Sequence, residues 1–199
     1  MTFRGADNPA RGWHEAADEA LLCGFLRGEQ AMAAELVRRY EQPLYRFLRR
    51  LSGNPSDVPD LFQETFLRAL RSAGSFGGRS RFKSWLYAIA VNVCRAHARS
   101  ARRKPMTSLP QAEVAVNGSP RPADVAERTE LGERVAQAVA TLPPGQHEVF
   151  ILRVYEEMDY RQIAEALGRP LGTVKSQMRL ALGKMRAALQ EIGRAYGAA

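Results

Sequence analysis

Between Pro105 and Ala123 the chain carries prolines at 105, 110, 120 and 122, together with Gly118 and Ser119, and no apolar period. Proline fixes φ and removes a backbone donor, so such a stretch neither continues a helix nor joins a sheet. It reads as a linker. On both sides of it apolar residues recur at three- and four-residue spacing, and strand signals are nearly absent. A chain divided this way is expected to be all-α, with two small helical domains joined by a flexible linker. The expected bounds are a flexible tail over 1–15, one domain over 16–104, the linker over 105–124 and a second domain over 125–199. No internal repeat is visible.

The first domain is predicted to hold four helices. The first stops at Gly28, and the second spans Glu29 to Leu51, with Pro43 predicting a kink or break. "SGNPSDVPD" is turn chemistry, with Asp57 a candidate N-cap and Pro59 suited to the first turn of the third helix, which runs to Ser72. "SAGSFGGRS" is a glycine-rich loop, and a long fourth helix follows from Arg81 to Arg103. On that helix Phe82, Trp85, Leu86, Ile89 and Val93 form a core stripe. A second face carries Ser84, Ala88, Asn92, Arg95 and Arg99, extended by Arg102, Arg103 and Lys104. Cations at that spacing suit phosphate neutralisation, and Asn92 is available to read a base. Phe76, in the loop just before, either stacks on an unpaired base or joins the core. The third helix sets Phe62, Phe66, Ala69 and Leu70 on one side. Asp60, Gln63, Glu64 and Arg68 project elsewhere, with Leu67 left among them. Glu64 and Arg68 could simply pair along the helix. An exposed leucine beside acids equally suits a protein partner.

The formal net charge of +8 calls for an anionic partner, nucleic acid first and a membrane surface second. No window approaches the ~18 apolar residues of a membrane span, and the N-terminal stretch lacks the pattern of a signal peptide, so a cytoplasmic protein with no membrane insertion is expected. Cys23 and Cys94 lie far apart within apolar helical patterns and read as buried free thiols. There are no clustered carboxylates, no metal-like His/Cys spacing and no paired nucleophile and base, while His14, His97 and His147 are scattered. No enzyme activity and no cofactor are therefore expected.

Near the end of the chain stands "YRQIAEALGRPLGTVKSQMRLALGKMR", Tyr160 to Arg186. A short helix fits Gln162 to Leu167, Gly168 suits the left-handed position after it, and a second helix is predicted to begin at Gly172-Thr173 with Thr173 as cap. Val174, Met178, Ala181, Leu182, Met185 and Leu189 then share one side. Ser176, Arg179, Leu180 and Gly183 lie opposite, with Lys175 and Arg186 on one flank and Gln177 and Lys184 on the other. A helix with a core stripe and an opposed basic face can pack on its own domain and still enter a major groove.

Two segments carry a family resemblance. "DLFQETFLRALRSAGSFGGRSRFKSWLYAIAVNVCRAHARSARRK" resembles region 2, and "LPPGQHEVFILRVYEEMDYRQIAEALGRPLGTVKSQMRLALGKMRAAL" resembles region 4, of the bacterial sigma-70 RNA polymerase factors, in the extracytoplasmic-function (ECF) group. The resemblance implies a sigma factor that binds core RNA polymerase, directs it to promoter DNA and helps open the minus-ten element. It implies core-polymerase contacts from Asp60, Gln63, Glu64 and Leu67. It implies minus-ten contacts from Phe76, Arg81, Lys83, Ala88, Asn92, Arg95 and Arg99, and minus-35 contacts from Thr173, Lys175, Ser176, Arg179 and Leu180. It also implies an anti-sigma partner. Ala96, Gln177 and Leu180 depart from residues the family often places there: an acid, an arginine and an arginine. A helix-turn-helix regulator acting without polymerase is the alternative, and it leaves the first domain unexplained.

Overall fold

The computed structural model describes residues 13–78, 80–103 and 130–197. The linker expected over 105–124 and most of the tail expected over 1–15 lie outside the described residues, as does Lys104. Among the described residues eight α-helices follow one another: α1 Asp18–Leu26, α2 Gln30–Ser52, α3 Val58–Ser72, α4 Phe82–Arg103, α5 Glu130–Ala140, α6 Pro144–Val154, α7 Tyr160–Leu167 and α8 Leu171–Gly197. Two short 3-10 turns, Pro55–Asp57 and Ala73–Ser75, flank α3. No strand occurs among the described residues.

The helix ends follow their terminators. Gly28 (φ +97°) stands just beyond α1, and Gly53 (φ +72°) closes α2. Both adopt left-handed backbone that a side chain would strain. At Pro43 the expected break does not occur, because α2 runs through it. The lost hydrogen bond and ring clash cost about 3 kcal/mol. Against that, Leu44, Phe47 and Leu48 beside it are wholly buried, and each contributes about 1.5–3 kcal/mol. Asp57 sits at the start of α3 without making a capping bond. Asn54 instead caps the preceding 3-10 turn by accepting from the Ser56 N–H.

Helices α1–α4 enclose one part of the core and α5–α8 the other, and the two parts meet. Helix α7 lies on α4, and α6 lies on α2. This contact overturns part of the face assignment on α4. Ser84, placed on the open polar face by helical phase, is buried. Tyr87 and Val91 are buried too, because α4 packs on its own domain on one side and receives the second domain on another. Phe82, Leu86 and Val93 occupy the core as expected, with Trp85 and Ile89 half-buried against it.

Three other expectations change. Cys94 is buried, but Cys23 is exposed: its neighbours Leu21, Leu22 and Gly24 turn inward and leave it on the outer side of α1. On α8 the core stripe stops at Met185. Leu182 (47% exposed) and Leu189 (45%) face outward. Leu182 follows buried Ala181 by 100° around the helix, and Leu189 lies beyond the reach of the core. Finally, α8 begins at Leu171, with the Pro170 carbonyl accepting from Val174 N–H, so Thr173 lies inside the first turn and is not its cap.

Candidate nucleic-acid and partner interfaces

The helix-turn-helix is built by local chemistry. Asp159 Oδ1 accepts from the N–H groups of Arg161 and Gln162 (2.8 Å each), and Gln162 Oε1 accepts from Asp159 N–H (2.8 Å). This reciprocal capping box starts α7 at Tyr160, two residues earlier than the apolar pattern predicts. At the other end Gly168 adopts φ +60°, ψ 39° and Arg169 N–H reaches back to Ala164 O (3.0 Å), which closes α7 and aims α8. Val174, Met178, Ala181 and Met185 seat α8 on its domain. Lys175, Ser176, Arg179 and Leu180 are exposed on the other side, with Thr173 half-buried at its edge. The Ser176 hydroxyl donates to Thr173 O (2.9 Å). Gln177 turns inward and accepts from Arg169 Nη1 (2.9 Å). Leu180 is 51% exposed among cations, an apolar group with no place in its own core.

On α3 the buried side is Leu61, Thr65, Phe66 and Ala69. Asp60, Gln63 and Leu67 are exposed, and Glu64 accepts from Arg68 Nε at 2.6 Å. That pair is open to water and contributes only a few tenths of a kcal/mol. The exposed patch runs from acidic Asp60 to apolar Leu67 along α3.

The residues assigned to the minus-ten strip fall into three groups. Arg81, Asn92 and Arg99 are exposed. Phe76 joins an aromatic cluster, 5.2 Å from Trp85 and 6.3 Å from Phe82 between ring centroids, and is half-buried there. Ala88 is half-buried. The other two reach across to the second domain. Lys83 Nζ donates to the backbone carbonyl of Glu156 (2.7 Å). Arg95 makes a two-pronged bond to Glu148, Nε to Oε1 and Nη2 to Oε2, both 2.7 Å. Glu148 is 7% exposed in its side chain and also accepts from Arg169 Nη2 at 2.6 Å. Its carboxylate pushes the Arg95 guanidinium pKa further up. Nearby, Tyr87 Oη donates to Glu156 Oε2 (2.6 Å), and burial, then the Glu156 charge, push its phenol strongly upward.

Glu148, Glu156, Tyr87 and Arg169 are site residues that periodicity did not single out. Glu148 had a signal: an acid directly before the apolar run Val149-Phe150-Ile151-Leu152 needs a cationic partner if that turn is buried. Nothing in the sequence names the partner. Burial also pushes the Cys94 thiol up to about 12, so it stays protonated and unreactive. Among the described residues no group of three or more His, Cys, Asp or Glu could hold a metal ion, and no helix is long and apolar enough to cross a membrane.

Comparison with known proteins adds the following. The model for Sigma-70 region 2 matches residues 36–104, and that for Sigma-70, region 4 matches residues 132–185. The chain is 33% identical over 172 residues to an ECF RNA polymerase sigma-E factor of Haemophilus influenzae, covering 82% of this chain and 90% of that one. It is 30% identical over 177 residues to the ECF RNA polymerase sigma factor SigW of Bacillus subtilis, covering 83% and 93%. Among solved structures it resembles CnrH in complex with the cytosolic domain of CnrY (25% identity, TM-score 0.67, 88% of this chain and 99% of that one). It shares the fold of the sigma factor RpoE bound to the anti-sigma factor NepR of Bartonella quintana (23% identity, TM-score 0.61, 79% and 96%).

Proposed function

The chain belongs to the sigma-70 family, in its ECF group, and from that premise we propose how its surfaces divide the work of starting transcription. As a sigma factor it binds core RNA polymerase and directs it to promoter DNA. The α1–α4 domain holds the polymerase through Asp60, Gln63, Glu64 and Leu67, which lie together on the outer side of α3. The α4 strip and the Phe76 loop receive the minus-ten element, with Asn92 reading a base and Phe76 meeting an unpaired one. Unstacking costs a few kcal/mol per step, and capture of the freed base offsets it. The α5–α8 domain reads the minus-35 element as duplex, with α8 in the major groove. The chain performs no catalysis of its own and works in the cytoplasm.

One observation carries this reading above that of a free-standing regulator. The exposed basic face of α8 and the exposed polar face of α3 occur in one chain, within segments that match regions 4 and 2 of the same family. An operator-binding protein has no use for the second. We infer an anti-sigma factor as a third partner, since CnrH was solved with the cytosolic domain of CnrY and RpoE with the anti-sigma factor NepR. Run-off transcription on a library of genomic fragments, with and without core polymerase, tests the proposal. Defined transcripts should appear only when chain and core are both present. Discrete DNA binding by the chain alone, with no change in transcripts, would favour the regulator instead.

A further inference from the structure

The Glu148 carboxylate at the domain contact stands where a DNA phosphate is needed. Arg95 and Lys83 belong to the strip read above as the minus-ten surface, and both are engaged by the second domain. The Arg95 fork on Glu148 has the planar two-bond geometry that an arginine offers equally to a carboxylate or a phosphate. Both are anionic acceptors, so they exclude each other. Around this pair, Glu156 takes the Tyr87 hydroxyl (2.6 Å), and the Arg50 guanidinium stands 4.2 Å above the Tyr155 ring. All four contacts join cations or donors of the first domain to groups on or just after α6.

We propose that Glu148 is a gate on promoter binding: it occupies Arg95 in place of a DNA phosphate and holds the second domain against the Lys83–Arg95 part of the minus-ten strip until DNA or polymerase displaces it. The inference rests on the reading of Arg95 as a DNA contact.

The local geometry makes such a gate reversible. A buried carboxylate left without a partner is strongly unfavourable. Glu148 avoids that on opening, because Arg169 stays with it, bonded from the same domain at 2.6 Å. Arg169 in turn holds Gln177 on the recognition helix (2.9 Å), so α8 keeps its seating whether the gate is open or shut. Arg95, released, exchanges a carboxylate for water or phosphate. The exposed face of α8 is untouched by the closure: Lys175, Ser176, Arg179 and Leu180 remain open to solvent. The closed chain is therefore equipped to meet duplex DNA through α8 while Lys83 and Arg95 of its minus-ten strip are still engaged.

The test uses the full chain carrying one dye on exposed Cys23 and a second on a cysteine introduced at exposed Arg194 (Arg194→Cys); buried Cys94 stays unlabelled. Glu148→Gln keeps the shape of the side chain and removes its charge. Arg95→Gln opens the same contact from the other side and leaves the Glu148–Arg169 pair intact, so a folding defect in the second domain cannot explain both results. Each variant is checked for a cooperative thermal transition. Energy transfer reports opening, and binding of a labelled pool of random single-stranded DNA, about 12 nucleotides long, reports the strip, since phosphate contacts do not depend on sequence. Both variants should lose energy transfer. Glu148→Gln should bind the pool about three- to tenfold more tightly, because a larger fraction of the chain is competent; Arg95→Gln should show no gain. Unchanged transfer in both variants overturns the gate and leaves the sigma function standing. Loss of transfer with equal gains in both variants overturns the competition, and removes Arg95 from the DNA contacts. The function itself is judged separately by run-off transcription with the parent chain.

Discussion

Helices α4 and α8 carry the same kind of surface, a basic face opposite an apolar one, yet the structure treats them differently. On α8 the face is open: the four residues between Lys175 and Leu180 assigned to DNA are all exposed. On α4 two of the assigned cations are bonded to the second domain, buried Tyr87 donates to it, and Ser84 is buried as well. Helical phase is a property of one helix, and it says which residues share a side. Whether that side meets water, DNA or another part of the chain depends on what folds back onto it. The same charges can thus act as a free surface in one domain and as an internal contact in the other.

The sharpest way to break the comparison is to remove the shared carboxylate. Glu148→Ala leaves two guanidiniums without their buried partner, and should lower stability by about 3 kcal/mol, toward the low end for a broken buried pair because both arginines keep some access to water. Urea denaturation measures it, and a loss below about 0.5 kcal/mol would show that the contact is as weak as a surface pair. Next in size, Arg179→Ala on the open helix should relax preference at one or two minus-35 base pairs, by about 1–3 kcal/mol of discrimination, without destabilising the chain. Selection from randomised minus-35 sequences reads this out; parental preferences kept by the variant would mean α8 docks in another rotation.

The first domain has its own acid-sensitive network, centred on Glu35 of α2. Arg38 bonds to Glu35 at 2.7 Å, with Arg39 and His14 each at 3.1 Å. The Arg38 guanidinium, aided by His14 and Arg39 and opposed by burial, holds the Glu35 carboxyl at about 2, below its ordinary 4.5. A lowered folded-state pKa gives stability that is fully present above the unfolded value and lost as pH falls through the folded one. Stability of the parent chain should therefore decline between about pH 4.5 and pH 2, and Glu35→Gln should flatten that decline. Denaturation midpoints across this range are the measurement, and equal slopes in parent and variant would remove Glu35 as the cause.

Smaller effects belong to the exposed groups. Lys175→Ala should weaken binding to all duplex sequences alike and lower the salt slope by about one, as for a single phosphate contact. Smallest for stability is the double change Gln63→Ala with Glu64→Ala on α3. It should shift unfolding by only a few tenths of a kcal/mol, since it removes one solvent-exposed pair, while weakening association with core polymerase. Unchanged core affinity in a titration would take α3 out of the polymerase interface.

Much of this protein was determined by its sequence alone. Apolar spacing, Gly28, Gly168 and the turn at Asn54–Pro55 locate the helices within a residue or two, because those signals act between neighbours along the chain. The joint occurrence of two family-like segments pointed to a polymerase partner and to DNA. Where local rules spoke against the outcome, packing overrode them: α2 continues through Pro43 because the burial of Leu44, Phe47 and Leu48 outweighs one missing hydrogen bond. Tertiary structure alone decided that Cys23, Leu182 and Leu189 face outward, that Gln177 turns in to Arg169, and that Ser84 is covered. It alone joined Arg95 to Glu148, 53 positions away. A charge pair over such a separation leaves no periodic trace. Its partners are chosen by which surfaces meet after each domain has folded, and by the cost of burying a carboxylate that no cation reaches.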